Sequence, residues 1–138
     1  YIRGLSIDGE NNCFLVGVLI EETINIGGFT INNGINESHF FVVKFNDENK
    51  VQWVQKSNSG HVHTHTGIRT DKSGNAYVYG NFIGNITVGE FAEKSENSNG
   101  FLAKLDGNGT FKWLINIGAK SQDLVSSATL NHDGSSIY

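Results

Sequence analysis

The chain has 138 residues, a formal net charge of −4, and ten Lys and Arg residues that do not cluster. This distribution argues against a nucleic-acid footprint and against binding to an anionic membrane surface. No apolar run approaches the roughly 20 residues of a transmembrane helix, and the lone Cys13 excludes an internal disulfide framework. Glycine is abundant and proline is absent, so the turns must be built from Gly, Asn, Asp and Ser.

Short apolar runs follow one another along the chain and predict an all-β fold. Each run is rich in Val, Ile, Phe, Tyr or Trp and is bounded by Gly, Asn, Asp or Ser, which is typical of a strand. Several runs are apolar at successive positions, as in strands that are buried on both faces. The predicted strands, in chain order, are 4–8, 13–20, 39–45, 51–56, 67–71, 75–82, 100–106 and 110–118.

The second half of the chain repeats the first. Asp8 aligns with Asp71 at a separation of 63 residues, and Trp53 aligns with Trp113 at a separation of 60. A third copy begins near the end, where 130–138 aligns with 70–78. Self-similarity at a fixed period is the signature of a repeat architecture, in which no unit buries its apolar face alone.

Four strands in a unit of about 60 residues predict one blade of a β-propeller, because each blade is a four-stranded sheet covered on both faces by its neighbours. We therefore expect a β-propeller segment with one antiparallel blade at 1–66, a second at 67–126 and the start of a third at 127–138. Two blades would leave both outer faces open. The chain is accordingly expected to be a piece of a longer protein and unstable as an isolated monomer.

The segment DKSGNAYVYGNF (71–82), followed by GFLAKLDGNGTFKW (100–113), resembles the SBBP family of seven-bladed, bacterial-type β-propeller repeats. The second unit matches the family's pattern well, whereas the first is looser, with Asn11 in place of a glycine. The resemblance implies a propeller in a secreted or cell-surface protein, with a scaffolding or binding role and no catalytic residues. The matching positions are Asp71, Gly74, Asn75, Tyr77, Val78, Gly80, Phe101, Ala103, Lys104, Asp106, Gly109 and Trp113.

His61, His63 and His65 are the most distinctive chemical feature of the sequence. Alternate residues of a strand point to one side, so three imidazoles can share a face and offer ligands to zinc. Three positions on a straight strand spread over roughly 13 Å, however, so two histidines with an acidic residue from another blade form a more plausible metal site. The simpler interpretation is a polar strand edge.

Three other features also have simpler structural interpretations. The Asp-x-x-Gly segments offer Asp71 and Ser73 as calcium ligands, but too few oxygens for that ion, which favours hairpin turns. Trp53 and Trp113 suit sugar stacking, yet their recurrence at one position favours packing between blades. The apolar strand positions of Lys44 and Lys104 predict side chains that extend to a blade rim or pair with an acid.

The expected function is non-enzymatic: a propeller module with a structural or protein-interaction role in an external assembly. Its expected partners are further blades or neighbouring subunits. The main alternative is a glycan- or ligand-binding propeller with exposed aromatic residues. Phe29, Phe82 and Phe91 are candidates, although their repeat spacing favours core positions. A weaker alternative is hydrolysis at a metal held by the histidines. Connections 21–38, 57–66, 83–99 and 119–123 are predicted to be long loops on one rim, the rim expected to bind a partner.

Overall fold

The computed structural model describes residues 1–20, 23–34, 37–63, 65–118, 122–131 and 134–138. The described residues contain strands and turns and no helix, and therefore no helix long and apolar enough to cross a membrane. The all-β fold class is confirmed. The strands are β1 (Ile2–Ile7), β2 (Cys13–Leu19), β3 (Thr23–Ile26), β4 (Phe29–Asn32), β5 (His39–Phe45), β6 (Val51–Lys56), β7 (Ser59–Val62), β8 (Gly67–Thr70), β9 (Ala76–Val88), β10 (Phe91–Leu105) and β11 (Phe111–Ile117).

The repeat in the sequence is a repeat in the topology. Strands β1, β2, β5 and β6 pair in that order as an antiparallel sheet, here called the first sheet. Strands β8, β9, β10 and β11 pair in the same way in the second sheet. All eight predicted strands are present, and the two units form separate sheets.

The two sheets pack face to face around one apolar core. From the first sheet it receives the alternate residues that point toward the second, including Phe14, Val16 and Val42, which are fully buried. From the second sheet it receives Val78 and Phe101, also fully buried. The remaining large contributors are Val18, Phe40, Val62, Ile68, Phe82, Ile86, Val88, Leu105, Phe111 and Leu114.

Smaller apolar clusters cover the outer faces. On the first sheet, the hairpin β3–β4 packs Ile31 against Leu19, Phe41 and Val43. On the second sheet, the segment after β11 packs Ala128 against Tyr77, Tyr79 and Leu102. Every sheet face therefore has some apolar cover, as the two-sided apolar runs in the sequence predict.

The predicted long loops after the second strand of each unit are wrong, because both connections form β-hairpins. In the first unit, β3 and β4 are joined by Gly27 and Gly28 and form a separate two-stranded ribbon. In the second unit, β9 and β10 continue past the sheet to a two-residue turn at Gly89 and Glu90. Positive φ angles at Gly27, Gly28 and Gly89 suit the tight turns that match strand twist. Polar residues alternate with Ile and Val in these ribbons, which accounts for their loop-like composition.

Of the two connections between units, only 57–66 is described closely enough to compare with the prediction. The connection 57–66 contains the short strand β7, which pairs with the extended part of β9. The connection 119–123 lies partly outside the described residues, because 119–121 are not described.

The turns after the first and third strands share one design. In each, a backbone N–H three residues after an Asp or Asn donates to that residue's carbonyl, and the donating residue has a positive φ. Such a φ favours Gly and is tolerated by Asn, which explains why Asn can stand in the first unit where the second has Gly. The Asx residues are Asp8, Asn46, Asp71, Asp106 and Asn131, and the positive-φ residues are Asn11, Asn49, Gly74, Gly109 and Gly134.

The side chain of the Asx residue completes the turn. The Asp71 Oδ1 atom accepts hydrogen bonds from the backbone N–H groups of Ser73 (3.0 Å) and Asn75 (2.9 Å). Its Oδ2 atom accepts from Asn75 Nδ2 (2.7 Å) and from the Tyr77 hydroxyl (3.2 Å). Both carboxylate oxygens are thus occupied by protein donors, which agrees with the turn interpretation rather than with a calcium site.

The third copy begins as predicted. Asn131 Oδ1 accepts from the backbone N–H of Ser136 (2.9 Å), and Gly134 has the expected positive φ of 73°. Residues 132 and 133 of this turn lie outside the described part of the chain. An isolated bridge joins Leu130 to Ile137, so the segment leads from a first strand toward a second.

Asp106 makes a testable contribution to stability at acid pH. The hydrogen bond from the backbone N–H of Thr110 is the main cause that holds the pKa of the Asp106 carboxyl below its ordinary value. Asn108 and Lys112 lower this pKa further, whereas partial desolvation raises it. A lowered folded pKa stabilises the protein above the unfolded value of about 3.9, and this contribution is lost as the pH falls through the folded pKa. We expect Asp106→Asn to be less stable than the wild type at neutral pH, with the difference shrinking under acid conditions.

Urea unfolding at neutral pH and at about pH 3 measures this difference. Asn46 makes the same two backbone bonds as Asp106, at 3.1 and 2.9 Å, so Asn at position 106 is expected to preserve the turn. Asp106→Ala removes the acceptor altogether and is expected to cost a further ~1 kcal/mol at both pH values. A wild-type to Asn difference that is independent of pH would contradict the assignment.

Candidate functional site

The three clustered histidines do not share one strand. His61 lies in β7 opposite Ile83, but β7 ends at Val62. His63 follows the strand, and its backbone N–H donates to the carbonyl of Asn81 at 2.8 Å. All three histidines are exposed. The strand geometry that suggested a common face therefore applies to His61 alone.

The zinc hypothesis for His61, His63 and His65 gains no support from this arrangement and stays a prediction. Among the described residues, no three His, Cys, Asp or Glu side chains are grouped so as to hold a metal ion. His65 instead lines a cavity with residues of β1 and β8, whereas His61 and His63 do not line it.

A fourth histidine, which the sequence did not single out, lies in a buried polar cluster. His39 is fully buried at the start of β5. Its Nε2 atom lies 2.8 Å from Glu37 Oε2, and its Nδ1 atom lies 3.2 Å from Ser57 Oγ. Glu37 is partly exposed, so the cluster runs from the surface inward to Ser57, which is fully buried.

Ser57, His39 and Glu37 have the order of a nucleophile, a base and an orienting acid. A nucleophile must be reached by its substrate, however, and Ser57 has no exposed surface. Its backbone N–H also donates to the carbonyl of Phe40 at 3.0 Å, which fixes the serine against β5. The cluster therefore satisfies buried polar groups where the chain leaves the first sheet.

In the second unit, Asn99 occupies the position equivalent to His39, 60 residues further along the chain, and it is also buried. Its Nδ2 atom donates to Asn116 Oδ1 at 3.0 Å, and Asn116 Nδ2 donates to the carbonyl of Lys94 at 3.2 Å. A backbone carbonyl only accepts, so this chain of bonds fixes both amide orientations. Asn99 Oδ1 is left buried without a partner among the described residues. The start of the third strand is thus a recurring buried polar position, which the repeat alignment could have revealed.

Asn99 borders a polar cleft of about 510 Å³ beside the bulge in β10. The bulge lies between Ser95 and Asn99, where β10 has two more residues than the paired segment of β9. Bulges redirect side chains and recur next to binding sites. The cleft is lined by Lys94, Ser95, Glu96, Asn97, Asn99, Asn116 and Gly118.

The aromatic candidates for a binding surface have mixed positions. Phe82 is fully buried, and Phe91 is half-buried against the core. Phe29 is 40% exposed at the turn end of the β3–β4 hairpin. Only Phe29 has the exposure that a binding aromatic needs.

The two tryptophans pack on equivalent aromatic rings of their own units. Trp53 meets Phe14 edge to face at 5.8 Å, and Trp113 meets Tyr77 at 6.1 Å. Lys44 lies over the Phe14 ring at 5.3 Å, and Lys104 lies over the Tyr77 ring at 5.1 Å. Each unit therefore carries a Lys–aromatic–Trp cluster on the same face.

The first of these clusters also binds the second unit. Trp53 Nε1 and Lys44 Nζ each donate to the carbonyl of Gly107, both at 3.1 Å. The indole lies against Gly109, where a Cβ atom would come within 2.8 Å of the ring. Lys44 thus pairs with a backbone carbonyl and not with the acidic residue that the sequence also allowed.

A comparison with protein-family models finds no match for this chain, and a search of curated proteins finds no match either.

The buried Ser57 allows a direct test of its role. We expect an active-site fluorophosphonate to leave Ser57 unmodified, because the hydroxyl is sealed by His39 and by the backbone of β5. Ser57→Ala should lower the free energy of unfolding by ~1 kcal/mol, the value of one hydrogen bond. Mass spectrometry after labelling and urea unfolding measure the two effects, with the unreacted protein as the reference. A stoichiometric adduct on Ser57 would show that the cluster is catalytic.

Proposed function

We propose that this chain is a β-propeller segment that acts as a non-enzymatic structural or protein-interaction module, in which further repeat units cover its end faces. The observation that carries the proposal is the interface between the two units, which is a template for the contact that each open face would make. The family resemblance of the second unit extends the proposal to a secreted or cell-surface assembly.

The N-terminal end face supports the proposal through a difference in exposure. Leu5 of β1 is 61% exposed, whereas Ile68, its equivalent in β8, is 1% exposed because it packs against the first unit. Ile7, in the same strand as Leu5, is 65% exposed. Exposed apolar rows of this kind indicate a surface that another element covers.

The opposite end face supports the proposal because Lys104 and Trp113 carry hydrogen-bond donors there that bind no described residue. Lys44 and Trp53 bind the carbonyl of Gly107 in the following unit. Lys104 and Trp113 occupy the equivalent places, yet neither donates to a described residue. The geometry of the first pair indicates what the second would bind: the backbone carbonyl of a turn in a following unit.

A second candidate function is recognition of a glycan or another polar ligand at the cleft beside Asn99. It is favoured by Asn99 Oδ1, which has no partner among the described residues, and by the Ser, Asn, Glu and Lys side chains that line the cleft. Such polar groups suit hydroxyl-rich ligands. Titration of the chain with neutral oligosaccharides, with Asn99→Asp and the remote Asn108→Asp compared, would distinguish this function from a purely structural one.

The module proposal is tested by adding strands of a third unit that would cover the end face with Lys104 and Trp113. In an extended chain, residues 136–138 are replaced by a copy of 76–118, which supplies the second, third and fourth strands of a third unit. Trp113→Phe should then cost about 1–2 kcal/mol of unfolding free energy, as expected for a lost hydrogen bond and poorer packing. The same substitution should cost clearly less in the 138-residue chain.

Trp53→Phe is the matched control, because its acceptor Gly107 is present in both proteins. It should cost the same ~1–2 kcal/mol in each. Equal effects of Trp113→Phe with and without the extension, or a separate melting transition for the added strands, would show that the end face does not accept a further unit.

A further inference from the structure

Both arginines of the chain line one cavity. The sequence contains only two, Arg3 and Arg69, which are 66 positions apart and belong to different units. They line a cavity of about 280 Å³ together with His65 and Ser126. The remaining lining residues are Gly4, Thr66, Gly67, Ile68 and Tyr79.

The fold brings the arginines together by placing the first strands of the two units side by side. Ser6 of β1 and Thr70 of β8 share a hydroxyl hydrogen bond of 2.7 Å across this contact. Arg3 lies at an irregularity in the pairing of β1 with β2, between Ile2 and Gly4. Such bulges redirect a side chain away from the regular alternation of a strand.

Aromatic stacking orients both guanidinium groups. The Arg69 guanidinium lies 5.9 Å from the centre of the Tyr79 ring, and the Arg3 guanidinium lies 5.1 Å from that of Tyr1. Arg69 also donates one N–H to the carbonyl of Ile68 at 2.9 Å. Stacking occupies the faces of a guanidinium and leaves the N–H groups along its edge free to bind an acceptor.

The described lining of this cavity contains no acidic side chain. None of the ion pairs among the described residues involves Arg3 or Arg69. Two arginines that line one cavity without an acidic partner among the described residues raise the local concentration of anions.

We propose that Arg3, Arg69 and His65 form a binding site for an oxyanion, either a carboxylate or a phosphate group. Guanidinium edges match the paired oxygens of both groups. The His65 ring and the Ser126 hydroxyl add hydrogen-bonding capacity at the same cavity. The cavity is at the small end of ligand pockets, which suits a single anionic group. This site stands independently of the proposed structural function.

The test is a titration of the 138-residue protein with sodium phosphate and, separately, with sodium acetate, at constant ionic strength and neutral pH. Chemical shifts of the arginine Nε–H groups and of the His65 ring report binding. We expect saturable shifts at both arginines with at least one anion. Arg3→Gln and Arg69→Gln should each weaken binding roughly tenfold, the effect of losing about 1.4 kcal/mol.

Two controls separate a specific site from general electrostatics. Lys72→Gln removes an exposed positive charge at a turn that does not line the cavity, and should leave the affinity unchanged. Arg69→Lys keeps the charge but loses the planar edge, and should weaken binding several-fold. Thermal melts that coincide with the wild type show that each variant is folded.

The preferred anion identifies the source. Tighter binding of phosphate assigns the site to a phosphate ester, and tighter binding of acetate assigns it to a carboxylate such as an acidic side chain or sugar acid. The proposal is overturned if neither anion gives saturable shifts by about 10 mM. It is also overturned if Lys72→Gln weakens binding as much as the arginine variants do.

Discussion

The rest of the structure depends on the burial of one apolar face between the two sheets. Phe14, Val16 and Val42 on one side and Val78 and Phe101 on the other are completely withdrawn from water. The outer faces carry smaller apolar clusters, covered by a hairpin on the first sheet and by the segment after β11 on the second. The paired hydrogen bonds of Lys44 and Trp53 to Gly107 lie at the edge of the same contact and set how the two units meet.

The turns allow this contact to repeat. Asp8 lies against Gly74, and Asp71 lies against Gly134, so successive Asx turns stack along one edge of the molecule. A side chain at Gly74 would come within 3.1 Å of Asp8 Oδ2 as well as needing a positive φ. The same residue thus satisfies the local turn and the approach of the neighbouring unit. This is why the Asp-x-x-Gly motif marks the repeat so clearly.

Most of the fold could be predicted because its signals are local. Strand boundaries follow from apolar runs between turn residues. The repeat then identifies equivalent strands, such as those that carry Trp53 and Trp113. The β3–β4 ribbon was missed although Ile24, Ile26 and the Gly27–Gly28 pair carry a hairpin pattern. Its many Asn and Thr residues suggested a loop, because a half-exposed ribbon needs only one apolar side.

The candidate sites could not be predicted in the same way, because their residues meet only through tertiary packing. His39 contacts Ser57 because β5 pairs with β6 and Ser57 directly follows β6 in the chain. Arg3 and Arg69 line one cavity because the first strands of the two sheets lie side by side, an arrangement with no signature in the sequence. The clustered histidines stay a prediction: β7 ends at Val62, so the strand geometry that suggested a common face applies to His61 alone.

The central claim is that the two sheets form one cooperative unit because each lacks a complete core of its own. Native-state hydrogen exchange of the Val16 and Val42 amides in the first sheet, compared with those of Val78 and Ala103 in the second, tests it most directly. The account predicts one common opening free energy, which Ile68→Ala lowers equally in both sheets by about 2–5 kcal/mol. Two distinct opening free energies, with Ile68→Ala affecting the second sheet alone, would contradict it.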